Sequence, residues 1–206
     1  IPYPGAYLLD PSGRVIAKFF ENDYKQRAPA LEMLEETGAV LRIPRATVHA
    51  EQLRLFSSAS DEIVQPYKKV ALFLDVSLAP KMHVYAPGVK GYIPIDWKMA
   101  ATPAAQFYPV SYPASQMLRL AVIKETVPVY RGRFRLAEDV VFGSEAGVKP
   151  LVNAHHDLTL TGSLRYQACD DHQCYLPQTV PLKWTFHYQG LDRQRAPLGI
   201  QHKGKL

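Results

Sequence analysis

Only two cysteines, Cys169 and Cys174, occur among the 206 residues. A chain of this length buries a core without metal or disulfide staples, so the pair is not needed to compensate for small size. Long hydrophobic runs are missing as well: none approaches the roughly 20 residues of a membrane helix. The opening Ile1-Pro2-Tyr3-Pro4 lacks a basic n-region and a signal core. No Met begins the chain, so it is expected to be a piece of a longer precursor whose targeting information lies elsewhere. The net charge is +5, yet Lys and Arg are scattered and no stacking motif interleaves with them. That pattern argues against a nucleic-acid partner and for a solvated surface. The densest basic stretch, Arg131, Arg133 and Arg135, has the alternate spacing that places three side chains on one face of a strand. With 47% hydrophobic and 21% charged residues, wholesale disorder is excluded.

What is abundant is proline and tyrosine, 17 and 12 residues. Frequent prolines punctuate short elements and tyrosine favours strands, which together predict β structure with many turns. Residues Ala6-Tyr7-Leu8-Leu9 and Val15-Ile16-Ala17-Lys18-Phe19-Phe20 flank the turn Asp10-Pro11-Ser12-Gly13, a hairpin pattern. From about Asp23 to Glu36, Ala30, Leu31, Met33 and Leu34 predict an amphipathic helix stopped at Gly38. Beyond Arg42 the pattern is strand, turn, strand. Strands are expected at Val48 to Phe56, Lys69 to Leu78, His83 to Tyr85, Met117 to Ile123, Phe134 to Phe142, Asp157 to Ala168 and Val180 to Tyr188. In the sixth, Leu158, Leu160, Gly162, Leu164 and Tyr166 alternate with Thr159, Thr161, Ser163 and Arg165, as a half-buried antiparallel strand requires. The expected fold is mainly β, an immunoglobulin-like antiparallel β-sandwich over 45–190. A separate segment at 1–40 precedes it and a loosely ordered tail at 191–206 follows it.

Cys169 and Cys174 enclose Asp170-Asp171-His172-Gln173 between two expected strands, so the pair caps a hairpin. Four intervening residues allow the Cα atoms to come within the roughly 4.4 to 6.8 Å a disulfide demands. So short a ring removes little unfolded-state entropy, which makes thiol-disulfide exchange a better reason for it than stability. Exchange needs a thiolate. A protonated His172 favours one, whereas Asp170 and Asp171 oppose it and are suited to aiming a basic partner surface at the site. Tyr175 is a candidate for partner docking. Three other readings stay open: an inert disulfide pinning a hairpin in an interaction domain, a copper or zinc site of Cys169, His172 and Cys174 joined by His155 or His156, and two buried unreactive thiols.

The run Gly162-Ser163-Leu164-Arg165-Tyr166-Gln167-Ala168-Cys169-Asp170-Asp171-His172-Gln173-Cys174-Tyr175-Leu176-Pro177-Gln178-Thr179-Val180-Pro181-Leu182 resembles the cysteine segment of the amino-terminal periplasmic domain of the DsbD family of thiol-disulfide interchange reductases. The run Lys81-Met82-His83-Val84-Tyr85-Ala86-Pro87-Gly88 resembles an upstream segment of the same domain. The resemblance implies an immunoglobulin-like sandwich in an exported protein and a Cys169–Cys174 pair that takes electrons from a thioredoxin-like domain. No cofactor is implied. The family shields its pair with an aromatic cap loop, and by position Val127-Pro128-Val129-Tyr130-Arg131-Gly132 is where that loop is expected, with Tyr130 as the shield. The stretch between the cysteines is shorter than in the family's best-known member. Ile1 to Val15 and the helix to Glu36 resemble the last strands and helix of a thioredoxin-fold redoxin of the alkyl hydroperoxide reductase and thiol-specific antioxidant type. That resemblance makes Pro4 the cis-proline facing an active cysteine. It also makes the chain the carboxy-terminal piece of a redoxin and DsbD-like fusion, a piece without peroxidase activity of its own.

Overall fold

The structure, a computed structural model, describes residues 5–20, 46–120 and 125–191. The predicted helix at 23–36, Pro4 and the tail from 192 lie outside the described residues. At the amino end, β1 (Gly5–Leu9) and β2 (Val15–Phe20) pair antiparallel as the expected hairpin. Asp10 holds the turn, its Oδ1 accepting from the backbone N–H of Ser12 and of Arg14. The two strands form a sheet of their own.

The rest is strand after strand. β3 (Ala46–Ala50), β4 (Leu53–Ala59), β6 (Lys69–Leu78), β12 (Arg133–Phe142) and β9 (Ala105–Phe107) make a five-stranded sheet in that spatial order. β5 (Ile63–Val64), β15 (Gln178–Tyr188), β13 (Asp157–Tyr166) and β8 (Asp96–Met99) make a four-stranded sheet. One core cluster joins the two. Leu55, Leu72, Leu74, Leu136, Val140 and Phe142 from the first sheet are buried with Trp97, Leu158, Leu160, Leu164, Leu182, Trp184 and Phe186 from the second. Trp97 and Trp184 stack with centroids 5.4 Å apart, and Trp184 Nε1 donates to the Ser58 carbonyl at 2.9 Å. Burying one face of each sheet against the other makes the domain a mainly β, antiparallel sandwich, as expected.

The alternation read at 158–166 holds, with Leu158, Leu160, Leu164 and Tyr166 inside and Thr159, Thr161 and Arg165 outside. Gly162 occupies an inward position because β8 passes close. A Cβ there would sit 2.6 Å from the Lys98 carbonyl oxygen. The strand expected at Val48 to Phe56 is two strands, β3 and β4, turned over at Glu51-Gln52 with Gln52 at φ 61°.

A third sheet carries the site. β10 (Gln116–Leu120), β11 (Glu125–Arg131), β7 (His83–Tyr85) and β14 (Ala168–Cys169) lie in that order. Here the stretch 127–132, expected to be a cap loop, is strand as far as Arg131. Pro128 does not prevent this, because it stands where the ladder to β7 ends: Ala86 N–H donates to its carbonyl at 2.9 Å, and the bond that would be returned needs the N–H proline lacks. Gly132, at φ +66°, lets the chain pass in one residue from β11 to β12. That crossing also splits the basic run, leaving Arg131 in the third sheet while Arg133 and Arg135 belong to the five-stranded one. Arg135 Nε bonds Asp75 Oδ1 at 2.7 Å there. A short helix α1 (Glu145–Val148) runs into a 3-10 turn (Lys149–Leu151) before β13. Among the described residues, no helix is long and apolar enough to cross a membrane.

Candidate functional site: the Cys169–Cys174 hairpin

Cys169 and Cys174 are bonded to each other, with Cα atoms 4.0 Å apart. That is closer than the expected range, because the two are direct antiparallel partners. Asp170 N–H donates to the Gln173 carbonyl at 2.9 Å and Tyr175 N–H to the Ala168 carbonyl at 2.9 Å, which leaves the cysteines in the non-hydrogen-bonded position where opposed side chains approach most.

The intervening turn is organised by Asp170. Its Oδ1 accepts from His172 N–H at 2.7 Å and Gln173 N–H at 2.8 Å, and its Oδ2 accepts from Tyr175 Oη at 3.1 Å. Those backbone hydrogen bonds to His172 and Gln173 hold its carboxyl below the ordinary carboxylate range. Asp170 and Tyr175 thus build the turn. Asp171 and the His172 side chain are exposed on it, and Arg131 Nη2 stands 3.9 Å from Asp171 Oδ1.

The two sulfurs live in different surroundings. Cys169 is 1% exposed and packs with Tyr85, Val127 and Val129 in a small cluster separate from the main core. Cys174 is exposed, and two residues on Leu176 is 80% exposed.

The strand registers fix who faces the pair. Arg131, His83 and Cys169 form one cross-strand row, and Tyr130, Val84 and Ala168 form the next. Successive rows point to opposite faces of a sheet. Tyr130 therefore points away from the disulfide into the main core, where its ring stacks on Phe134 at 4.8 Å and its hydroxyl donates to the Pro113 carbonyl at 3.0 Å. The expectation that Tyr130 shields the pair does not fit this geometry. The phenol that reaches a sulfur belongs to Tyr85, its Oη 3.9 Å from Cys174 Sγ. Tyr92 stacks on Tyr85 with centroids 4.3 Å apart and donates to Glu125 Oε2 at 2.7 Å. That bond pushes the Tyr92 hydroxyl up to about 12, and burial raises the Tyr85 hydroxyl. Neither tyrosine was legible as a site residue, since only the pairing of β7 with β14 brings them to the cysteines.

The metal reading loses its ligands. His155 and His156 sit in the turn before Asp157, and Cys169 lies past Tyr166 at the other end of the ten-residue β13, on the order of 30 Å away at strand rise. Among the described residues, no group of three or more His, Cys, Asp and Glu side chains is placed to hold a metal ion.

The domain is thus an antiparallel β-sandwich with a disulfide at the rim of a side sheet, one cysteine buried and the other exposed. Residues 54–183 match the family described as thiol:disulfide interchange protein DsbD, N-terminal, and the chain belongs to that family. Among solved structures, the N-terminal periplasmic domain of ScsB from Proteus mirabilis is similar, with a TM-score of 0.44 and 11% identity over 70% of this chain and 50% of that one. The chain thus spans half the length of that structure. No curated protein matches the chain.

Proposed function

We propose that the chain is a thiol-disulfide exchange module, a redox relay station in which Cys174 takes the attack and Cys169 is the leaving and resolving sulfur. The observation that carries this is the unequal exposure of the two cysteine residues, 1% for Cys169 against an exposed Cys174. A partner thiolate attacks Cys174 Sγ, the Cys169–Cys174 bond breaks, and Cys169 leaves as a thiolate with the electron pair. The partner's second thiolate then attacks the partner sulfur of the mixed disulfide, and Cys174 leaves as a thiolate. The partner ends as a disulfide and the chain as a dithiol. In the reverse direction the dithiol reduces another protein.

Exposed Leu176 and the open hairpin suit the groove of a thioredoxin-like protein or domain, the partner that family membership favours, in an exported or periplasmic setting. The β1–β2 hairpin is compatible with the end of a redoxin joined to this sandwich. The sequence preceding Ile1 tests that fusion, which requires a thioredoxin fold with an active cysteine there. Titration against defined glutathione poises tests the exchange role. A midpoint within reach of thiol pools is expected, and one far below about −300 mV marks a structural bond and removes the proposal.

A further inference from the structure

His83 is the least satisfied polar group beside the disulfide. It is 1% exposed, and neither Nδ1 nor Nε2 has a hydrogen-bond partner among the described residues. Buried polar atoms are ordinarily paired, so two orphaned ring nitrogens in one side chain call for a reason. Its place supplies one. His83 is the direct antiparallel partner of Cys169, so the two side chains rise from the same face of the sheet with Cβ atoms roughly 4.5 to 5.5 Å apart. The ring also meets Tyr85 edge to face at 5.6 Å, on the side where Tyr85 reaches Cys174.

Resting on the exchange reading above, the buried sulfur faces a difficulty that the open one does not. Cys169 must carry a negative charge whenever it leaves or attacks, in a pocket of Tyr85, Val127 and Val129 that disfavours charge. We propose that His83 is the proton partner of Cys169, taking the thiol proton when Cys169 resolves a mixed disulfide and returning it when Cys169 is the leaving group. In the resolving direction the neutral imidazole accepts the proton from Cys169 S–H. The thiolate attacks Cys174 Sγ, the intramolecular disulfide forms, and the partner sulfur leaves as a thiolate. The imidazolium then releases its proton to solvent. The opposite direction runs through the same steps reversed.

The charges around the ring suit a neutral imidazole in the closed state. Burial, and then Arg131 across β11, hold His83 below its ordinary value, while Asp171 and Asp170 on the turn pull the other way. Opening the disulfide places a thiolate opposite the ring and shifts that balance toward imidazolium.

The test uses the 206-residue chain. The His83 ring C–H resonances are titrated by NMR in the disulfide form and in the dithiol form made with a phosphine reductant. The expected result is a His83 midpoint higher in the dithiol form, with the same inflection visible on the Cys169 Cβ resonance. Identical His83 midpoints in both forms overturn the proposal. In His83→Gln, release of glutathione from a Cys174–glutathione mixed disulfide is expected to slow on the order of tenfold or more near neutral pH and to lose the histidine inflection in its pH profile. An unchanged profile overturns the proposal equally, and a merely structural histidine would not move it. If the variant does not fold, the two-form titration of the unsubstituted chain decides. Because the phosphine reduces the pair regardless of its natural partner, failure of this role shows in the titration, whereas failure of the exchange role shows in the glutathione midpoint.

Discussion

The third sheet faces two ways, one face lining the main core and the other making the cysteine corner. Tyr130, Val84 and Ala168 point into the sandwich and join a cluster that includes both tryptophans, while Val127, Val129, Tyr85 and Cys169 point to the other face and make a cluster of four buried residues. The large cluster has sheets on both sides. The small one is covered by the hairpin that bears Cys174 and by the partly buried Val89, Tyr92, Leu118 and Leu120. Stability should therefore concentrate in the first and reactivity in the second, since an attacking thiol needs an open approach and a packed core denies it.

The sharpest way to break that division is Cys174→Ser. Loss of the open sulfur should abolish exchange with glutathione altogether, while stability in urea falls by at most about 2 kcal/mol for so short a ring. Exchange persisting through Cys169 alone would show that the buried sulfur is reachable. Trp184→Ala attacks the other region. A loss of about 3–5 kcal/mol is expected from denaturant midpoints, with the glutathione midpoint of the folded protein unmoved.

Glu138 sharpens the comparison from inside the main core. It is 5% exposed, its Oε2 is without a hydrogen-bond partner among the described residues, and burial raises its carboxyl from 4.5 to about 7. A carboxyl raised by folding contributes most when protonated: its favourable share is complete below 4.5 and is lost as the pH climbs through about 7. The chain should be less stable at pH 8 than at pH 5 by up to roughly 3 kcal/mol from this group, and Glu138→Gln should flatten that slope in urea melts at the two pH values. A slope that survives in the variant would assign it to another group. Smallest is Tyr130→Phe, which removes the bond to the Pro113 carbonyl at a cost of about 1 kcal/mol and should leave the exchange rate unchanged. A faster exchange in that variant would restore Tyr130 as a shield.

Much of the sandwich was legible. The strand Lys69–Leu78 falls where it is expected, and the 158–166 pattern names its buried face correctly. Short strands such as Ile63–Val64 and Ala105–Phe107 were not, because two or three residues carry no periodicity. The loop expected at the stretch holding Pro128 comes from the family resemblance, and only the end of the β7 ladder explains why proline is tolerated in a strand there.

By itself the sequence determined that the chain is mainly β and that Cys169 and Cys174 form one hairpin, because strand periodicity and a four-residue spacing are local properties. Tertiary structure alone decided which sulfur is open, that Tyr130 faces the core while Tyr85 reaches Cys174, and that His83 stands opposite Cys169. Those depend on register, and in a pleated sheet one residue of register exchanges the two faces of every strand.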